Sequence, residues 1–435
     1  MSKPYHILSL DGGGSWALLQ VRCLQRLFPE AKTGHQILRH FDLVAANSGG
    51  AIVLAGLVSD MPLPQILQLF ETESIRRSIF APTTSWFWRI VHEAARLTHL
   101  KALQAGPHYN TPQKLQALKA CLPIEVADLC LEDVPGHIRA TQGRGPQVLI
   151  PSFDYNRQRS TFFRSNSSSA GDSDGLAARL GHSALPSQSR KSVGLLEAVH
   201  ASSTAPINFF DAPAQVDIHE QPNYLWDGGV AGYNNPVLAA VTEALANGVA
   251  AAAIRVLSIG TGATVRPVLR KNEACVPPCL AIEAAAKSGF FADIRKVASA
   301  IAGAPPDAAS YMAFVALNPG FAHPNFENRN FVRANPSLQP FWNGVKWQGP
   351  ACFPNFKEVA RMVELELDAV ASSDVDLVKQ IAKSWLADEL PNQPIRASNT
   401  LQCLVGQDRF SQVETQFRAV FPEVGTPDAQ SLAAK

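Results

Sequence analysis

The chain has 435 residues, of which 46% are hydrophobic and 17% are charged. This composition is typical of a folded protein, and the low charged fraction favours a large buried interior over an extended or disordered chain. The formal net charge of +1 gives no electrostatic indication that a nucleic-acid polymer is the partner.

The first residues, Met-Ser-Lys-Pro-Tyr-His, lack an apolar signal core, and no apolar run is long enough to cross a membrane. The seven cysteines are scattered along the chain. They do not form the close pairs with histidines that are typical of a zinc site. We therefore predict a reduced, cytoplasmic protein without a metal centre.

The first predicted unit is a strand from Tyr5 to Leu10, the loop Asp11-Gly12-Gly13-Gly14-Ser15 and a helix from Trp16 to Phe28. Consecutive glycines at a helix N-terminus leave backbone N–H groups unshielded, so the loop can hold a phosphate or an oxyanion. A dinucleotide-binding loop is one alternative, because alanine is allowed at its third glycine position, occupied here by Ala17. A sugar-kinase-like phosphate loop is another.

The second predicted unit is centred on Ser48. Leu43 to Ala46 predicts a short buried strand, Ala51 to Val58 predicts a helix, and Asn47-Ser48-Gly49-Gly50 lies between them. A serine with small neighbours in such a turn is typical of a nucleophile elbow, whose usual pattern is Gly-x-Ser-x-Gly. Here the first glycine of that pattern is alanine. The alternative is an ordinary strand–turn–helix corner with a capping serine.

A helix is predicted from Pro64 to Phe80, and a second aromatic helix from Trp86 to Leu103. The second helix is also basic, and basic aromatic helices can lie on a membrane surface or cover an apolar site as a lid. Aromatic stripes with helical spacing usually belong to the core. We therefore predict a core helix here.

In the middle of the chain, apolar and polar residues alternate from Cys130 to Phe163, which predicts strands, and Val148 to Ile150 is the clearest of them. The segment Ser165–Ser192 is rich in Ser, Gly and Asp, which predicts a surface loop or an insertion. A helical pattern then runs from Ser192 to His200, and a run of small residues follows it as far as Pro206.

Another predicted strand, Tyr224-Leu225-Trp226, leads into Asp227-Gly228-Gly229. Taken alone, this aspartate also fits an ordinary turn. A helix over Val237–Ala246 follows Asn234-Asn235-Pro236, and a strand from Ala251 to Ile259 ends at Gly260-Thr261-Gly262. The alternation of strands and helices predicts an α/β fold with a mainly parallel sheet.

After about Pro319 the composition changes, with many aromatic residues among asparagines and prolines, and then a predicted helix from Phe356 to Leu386. No long linker separates this part from the rest. We therefore predict a catalytic-type domain over residues 1–320 and a mainly helical extension over 321–435 that packs on the same core.

The ordered set of motifs resembles that of the patatin-like phospholipase family, and in particular its bacterial-type serine acyl hydrolases. Asp11-Gly12-Gly13-Gly14 resembles the glycine-rich oxyanion loop, Ala46 to Gly50 the nucleophile elbow, and Asp227-Gly228-Gly229 the catalytic aspartate motif. Asn234-Asn235-Pro236 and Leu257 to Gly262 match the usual continuation. The resemblance extends over residues 5–262 and implies a three-layer fold with a central, mainly parallel sheet flanked by helices.

The resemblance also implies a serine–aspartate dyad, in which the Ser48 hydroxyl attacks an ester carbonyl and Asp227 accepts its proton directly. Backbone N–H groups of the three glycines Gly12, Gly13 and Gly14 would hold the oxyanion. No cofactor or metal takes part. The motifs are completed by Asp11, Asn47, Gly49, Gly50, Gly228 and Gly229. The family usually has arginine and glycine where this chain has Trp16 and Ala17.

The implied substrate is a glycerophospholipid or another acyl ester, cleaved by a cytoplasmic protein that makes transient contact with a membrane surface. Family members include secreted effectors and nucleotide-activated phospholipases, so a regulated membrane-degrading role and a small-molecule or protein activator are part of the expectation. Three alternatives stay open. They are a triad with His200, His219 or His323, a sugar-kinase-like phosphotransferase that uses both glycine loops, and a catalytically silent binding module.

Overall fold

The protein is represented by a computed structural model. It describes these parts of the chain: residues 3–88, 106–166, 193–207, 209–218, 221–262, 272–276, 305–321, 327–338, 341–348, 369–396 and 404–425. Most of the predicted insertion, the predicted helix beyond Trp88, and both His219 and His323 lie outside the described residues.

One large sheet organises the described part of the chain. The strands of the described residues are β1 Tyr5–Leu10, β2 Leu43–Ala46, β3 Gln147–Asp154, β4 Arg159–Arg164, β5 Ala214–Ile218, β6 Gln221–Asp227, β7 Ile254–Ile259, β8 Cys275–Val276, β9 Phe331–Ala334, β10 Phe341–Trp342, β11 Trp347–Gln348, β12 Ile395–Arg396 and β13 Leu404–Val405. Strands β8, β10 and β11 form a separate three-stranded sheet, and β12 pairs with β13. The large sheet has the order β5-β6-β3-β2-β1-β7-β9, with β4 also paired to β3. Strands β3, β2, β1, β7 and β9 are parallel, whereas β4 and β6 are antiparallel to β3.

Helices flank this sheet. They are α1 Leu18–Leu27, α2 Gly34–Leu38, α3 Ser48–Val58, α4 Leu63–Glu71, α5 Glu73–Ile79, α6 Thr111–Cys121, α7 Ile124–Ala127, α8 Val134–Gln142, α9 Leu195–Ser202, α10 Val237–Ala246, α11 over 305–317, α12 Ser372–Leu386 and α13 Phe410–Val420. None of the helices in the described ranges is long and apolar enough to cross a membrane.

The core lies on both faces of the sheet, because successive side chains of a strand point to opposite faces. Leu8 and Val44 belong to one apolar cluster, together with residues of α1, α3 and α4. Ile7 and Leu43 belong to a second cluster, together with residues of α10 and α11. The helix–sheet–helix layering confirms the predicted α/β fold with a central, mainly parallel sheet.

Several local predictions are confirmed and three are wrong. The helix Val237–Ala246 has the predicted bounds, but residues 134–142, predicted as strand, form α8. There Val134, Pro135 and Ile138 are buried at helical spacing, and Gly143 ends the helix with φ +70°. The predicted helix from Pro64 to Phe80 is two helices, because Thr72 is extended, with φ −84° and ψ 115°.

The third correction concerns the aromatic helix. Trp86 and Phe87 are 73% and 53% exposed, so the prediction of a core helix is wrong for these two residues. Helical periodicity does not distinguish a core stripe from an exposed one, because that difference depends on what packs against the helix. The remainder of this predicted helix lies outside the described residues.

The division at residue 320 remains a prediction. Strand β9, from the C-terminal part, extends the same sheet by pairing with β7. Trp385 on α12 and Phe410 on α13 are fully buried in the cluster that covers α1 and α3. The predicted helix from Phe356 begins, in the described part, only at Ser372, since residues 369–371 are not helical.

Candidate active site

The ends of β2 and β6 meet on one edge of β3. Strand β4 pairs with Leu149–Asp154 of β3 and therefore occupies one edge. Strands β2 and β6 must share the other edge, where they pair with residues 147–149 and 152–154 of β3. The two strands point toward each other, because β2 is parallel and β6 antiparallel to β3. This arrangement brings Ser48, just after β2, next to Asp227, the last residue of β6.

Ser48 is the first residue of α3 and has a left-handed backbone with φ +50°. A capping serine has extended backbone instead, so this conformation supports the nucleophile elbow. The neighbouring glycines are required by close packing. A Cβ atom at Gly50 would lie 2.6 Å from the carbonyl oxygens of Leu10 and Asp11, and one at Gly49 would lie 2.5 Å from the Gly14 oxygen.

The buried carboxylate of Asp227 lies close enough to the Ser48 side chain for that side chain to lower its pKa. Its Oδ1 also accepts from Asn47 Nδ2 at 3.0 Å and from the Gly229 N–H at 2.7 Å. Burial raises the pKa of Asp227 above its ordinary range, and these hydrogen bonds, together with the charge of Lys114, partly oppose the rise. A carboxylate with a raised pKa is a stronger base than an exposed one.

The end of α9 supports the elbow through Ser202, a residue that the sequence analysis missed. Its Oγ accepts from the Ser48 N–H at 3.2 Å and donates to Asn47 Oδ1 at 3.0 Å. Asn47 is thus held between Ser202 and Asp227, which fixes both sides of the turn. The run of small residues that ends at Pro206 was the available signal, since such runs allow close packing.

The first glycine loop lies directly against Ser48. A Cβ atom at Gly12 would lie 3.0 Å from Ser48 Cβ and 2.7 Å from Asn47 Nδ2. The Gly12 N–H donates to the Asn234 carbonyl at 2.7 Å, and the Gly12 carbonyl accepts from Thr261 Oγ1 at 2.6 Å. Because the Gly12 N–H already has an acceptor, the loop N–H groups best suited to an oxyanion are those of Gly13 and Gly14.

Asp11 anchors this loop through a buried ion pair with Arg333 of β9. The guanidinium donates to both carboxylate oxygens, at 3.0 and 2.5 Å, and to Ser258 Oγ on β7 at 2.7 Å. Arg333 therefore reaches across β7 to the end of β1. The sequence analysis missed Arg333, because residues 322 positions apart give no local signal.

The second glycine loop, Gly260-Thr261-Gly262, uses its N–H groups for hydrogen bonds within the protein. The Gly260 N–H donates to the Ala334 carbonyl and the Gly262 N–H to Asn335 Oδ1, both at 2.8 Å. These donors are engaged and are not presented to a ligand. The sugar-kinase-like alternative, which needs both loops for phosphates, therefore receives no support from this geometry.

A triad that uses His200 also receives no support from the described residues. His200 is buried on α9, and its Nδ1 has no hydrogen-bond partner in the part of the chain that the structure describes. A triad histidine uses both ring nitrogens, one toward the nucleophile and one toward the carboxylate. Burial, together with the charge of Lys114, lowers the pKa of His200 well below its ordinary value.

Comparisons with known proteins give one family. The model described as patatin-like phospholipase matches residues 8–241. A cGAMP-activated phospholipase from Pseudomonas aeruginosa is 36% identical over 72 residues, which are 17% of this chain and 21% of that protein. The match thus spans about a fifth of the relative's length.

Two solved structures show weaker similarity. VipD from Legionella pneumophila has a TM-score of 0.35 and 11% identity, over 88% of this chain and 67% of that chain. Human GIVD cytosolic phospholipase A2, solved with a methyl gamma-linolenyl fluorophosphonate inhibitor, has a TM-score of 0.19 and 19% identity, over 37% and 23% of the two chains. The family model covers more than half of the chain and includes the glycine loop, the elbow and the aspartate motif. The chain therefore belongs to the patatin-like phospholipase family.

Proposed function

We propose that this protein is a lipid acyl hydrolase that cleaves fatty-acyl esters of glycerophospholipids, with Ser48 as nucleophile and Asp227 as general base. The observation that carries the proposal is the juxtaposition of Ser48, at an elbow with φ +50°, and the buried carboxylate of Asp227, to which the neighbouring Asn47 is hydrogen-bonded. Family membership supports a lipid ester as the substrate.

In the proposed acylation step, Ser48 Oγ attacks the ester carbonyl while its proton passes to Asp227. The tetrahedral oxyanion is held by the N–H groups of Gly13 and Gly14, and each such donor is worth about 3 kcal/mol of barrier height. Collapse of this intermediate breaks the ester bond, and the proton on Asp227 moves to the leaving lysophospholipid alkoxide. Asp227 is then ionised again.

Deacylation repeats the sequence with water. Asp227 removes a proton from water as the oxygen attacks the acyl-Ser48 carbonyl, the same N–H groups hold the oxyanion, and the proton returns to Ser48 Oγ as the fatty acid leaves. Over the cycle the serine proton leaves with the lysophospholipid, a proton from water replaces it on Ser48 Oγ, and Asp227 is ionised again. The proposed steps use neither a metal nor a cofactor.

The proposal is tested by incubating the protein with mixed phosphatidylcholine, phosphatidylethanolamine and phosphatidylglycerol vesicles and identifying the products by mass spectrometry. We expect equal amounts of fatty acid and lysophospholipid. The assay is run with and without cGAMP, because the Pseudomonas relative is named as a cGAMP-activated enzyme. Absence of hydrolysis under both conditions, with ATP turnover, would support the phosphotransferase. Absence of both activities would support a silent binding module.

We also propose that the exposed pair Trp86 and Phe87 makes transient contact with the membrane. Burying one such side chain in lipid contributes roughly 1.5–3 kcal/mol. The double variant Trp86→Ser with Phe87→Ser is therefore expected to weaken vesicle binding and vesicle hydrolysis about tenfold or more, while hydrolysis of a water-soluble ester stays unchanged. Ile124→Ser, which alters another exposed apolar residue (81% exposed), is the matched control. Equal effects of both variants would contradict a specific contact surface.

A further inference from the structure

Lys114 on α6 is a lysine buried inside the protein, with 1% of its surface exposed. Its Nζ donates to the His200 carbonyl at 3.1 Å and to Thr204 Oγ1 at 3.0 Å, and it lies 4.5 Å from the centroid of the Phe210 ring. These contacts are two neutral acceptors and an aromatic face. An ammonium group in such surroundings is costly unless a negative charge lies nearby.

Asp227 supplies that charge. The Asp227 N–H donates to the Thr204 carbonyl at 2.8 Å, so a single residue, Thr204, links the lysine to the aspartate. Burial lowers the pKa of Lys114 well below its ordinary value and raises that of Asp227. The charge of each group opposes the shift of the other, so each helps to keep the other ionised.

The other ionisable groups of the elements that pack against α6 and β6 are engaged elsewhere. On α5, Glu73 is paired with Arg77, and Arg76 donates to the Phe70 and Val370 carbonyls. On α9, Glu197 accepts from the Gly194 N–H at 3.0 Å, and burial lowers the pKa of His200 well below its ordinary value.

The remaining carboxylates either have partners of their own or are exposed. At the start of α6, Asp211 accepts from Thr83 and from the Thr111 N–H. On β3, Asp154 is paired with Arg157, and Asp217 on β5 is exposed.

We propose that Lys114 is a positioning residue of the hydrolase site, whose buried ammonium group keeps Asp227 ionised and whose bond to Thr204 fixes the Asp227 backbone. This inference rests on the proposed function, because it assigns a role to Asp227 as the base. It goes beyond that function in naming a cation outside the motifs that carry the resemblance to the family. Lys114 does not touch the reacting atoms and acts through Asp227.

Replacement of Lys114 by methionine is expected to leave the fold intact. Thr204 Oγ1 also donates to the His200 carbonyl at 2.6 Å, so this carbonyl keeps a donor when the ammonium group is lost. Loss of the positive charge removes the interaction that opposes protonation of Asp227. The pKa of Asp227 must then rise further, and the acidic limb of kcat/KM must move with it.

The test is the pH dependence of kcat/KM for a water-soluble ester, measured for wild type, Lys114→Met and Lys119→Met. In Lys114→Met we expect the acidic limb to move to higher pH by about one unit. Lys119 lies on the same helix but is exposed, so Lys119→Met should keep the wild-type profile. Lys114→Gln, also neutral and able to donate to Thr204, is the second variant.

The outcomes separate the inference from the proposed function. A wild type without Ser48-dependent turnover overturns the proposed function itself. If the wild type is active and folded Lys114→Met keeps the same acidic limb, only the role of Lys114 is overturned. The same holds if kcat falls in Lys114→Met while the limb does not move. Failure of both neutral variants to fold would assign Lys114 to core stability and would also overturn the proposal.

Discussion

Ser48→Ala is expected to abolish labelling by a fluorophosphonate probe and to lower kcat for ester hydrolysis by about 10⁴-fold or more. The variant keeps the backbone of the elbow and the N–H groups of the glycine loop. It loses the oxygen that forms the acyl-enzyme, so no covalent intermediate can form. Labelling is read by in-gel fluorescence and turnover by fatty-acid release from a fluorogenic phospholipid.

Two companion variants make the Ser48 result specific. Ser78→Ala removes an exposed hydroxyl on α5 that donates to the Ile75 carbonyl, and it should label and turn over like wild type. Ser48→Gly should be as inactive as Ser48→Ala, but it should be at least as stable as the wild type. The left-handed backbone at φ +50° costs a residue with a Cβ atom about 1 kcal/mol, and glycine avoids this cost. Labelling that persists in folded Ser48→Ala would show that another residue is the nucleophile.

Asp227→Asn is expected to lower kcat about 10²- to 10⁴-fold, which is the usual contribution of a general base. The amide oxygen can still accept the two hydrogen bonds that Oδ1 receives from Asn47 and Gly229. The amide nitrogen, however, cannot take a proton from Ser48. The rate is measured with the same ester, and Asp217→Asn, an exposed aspartate on β5, is the control.

The pH dependence of the activity follows from the raised pKa of Asp227. Burial raises the pKa of Asp227 above its ordinary value of 3.8, so the acidic limb of kcat/KM in the wild type should lie above pH 4. As the pH falls through this pKa, Asp227 is protonated, can no longer accept the serine proton, and activity is lost. A limb at the ordinary carboxyl value would contradict a buried base.

The contribution of Asp227 to stability should change with pH in the direction opposite to that of the activity. The folded protein binds the Asp227 proton more tightly than the unfolded chain does. The stability that this group contributes is therefore full below its unfolded pKa, and it is lost as the pH rises through the folded pKa. At neutral pH the ionised carboxylate by itself lowers the free energy of unfolding. In the Lys114→Met background, where no buried ammonium group loses its counter-charge, Asp227→Asn should therefore keep or raise the Tm. A lower Tm with a lost activity would indicate a structural defect rather than a missing base.

Local features of the chain could be predicted because they depend on neighbouring residues. The spacing of apolar residues predicted β1, the helix after it and α10, because the apolar periodicity of a strand or a helix is visible within a short stretch of sequence. The motifs around Ser48 and Asp227 predicted the two residues that lie together. Alternation from Cys130 onward was misleading, because short apolar runs fit a helix such as α8 as well as a strand.

The sequence by itself determined the fold class, the family and the two residues of the proposed dyad, because each depends on short motifs in a fixed order. Only the tertiary structure decided what surrounds them. Ser202, Lys114 and Arg333 reach the site from α9, α6 and β9, and the Gly12 N–H is taken by Asn234. These contacts follow from strand order, above all from β2 and β6 sharing one edge of β3. Pairing between distant segments leaves no periodic trace in the sequence, so burial, charge pairing and the pKa of Asp227 could be known only once the strands were in place.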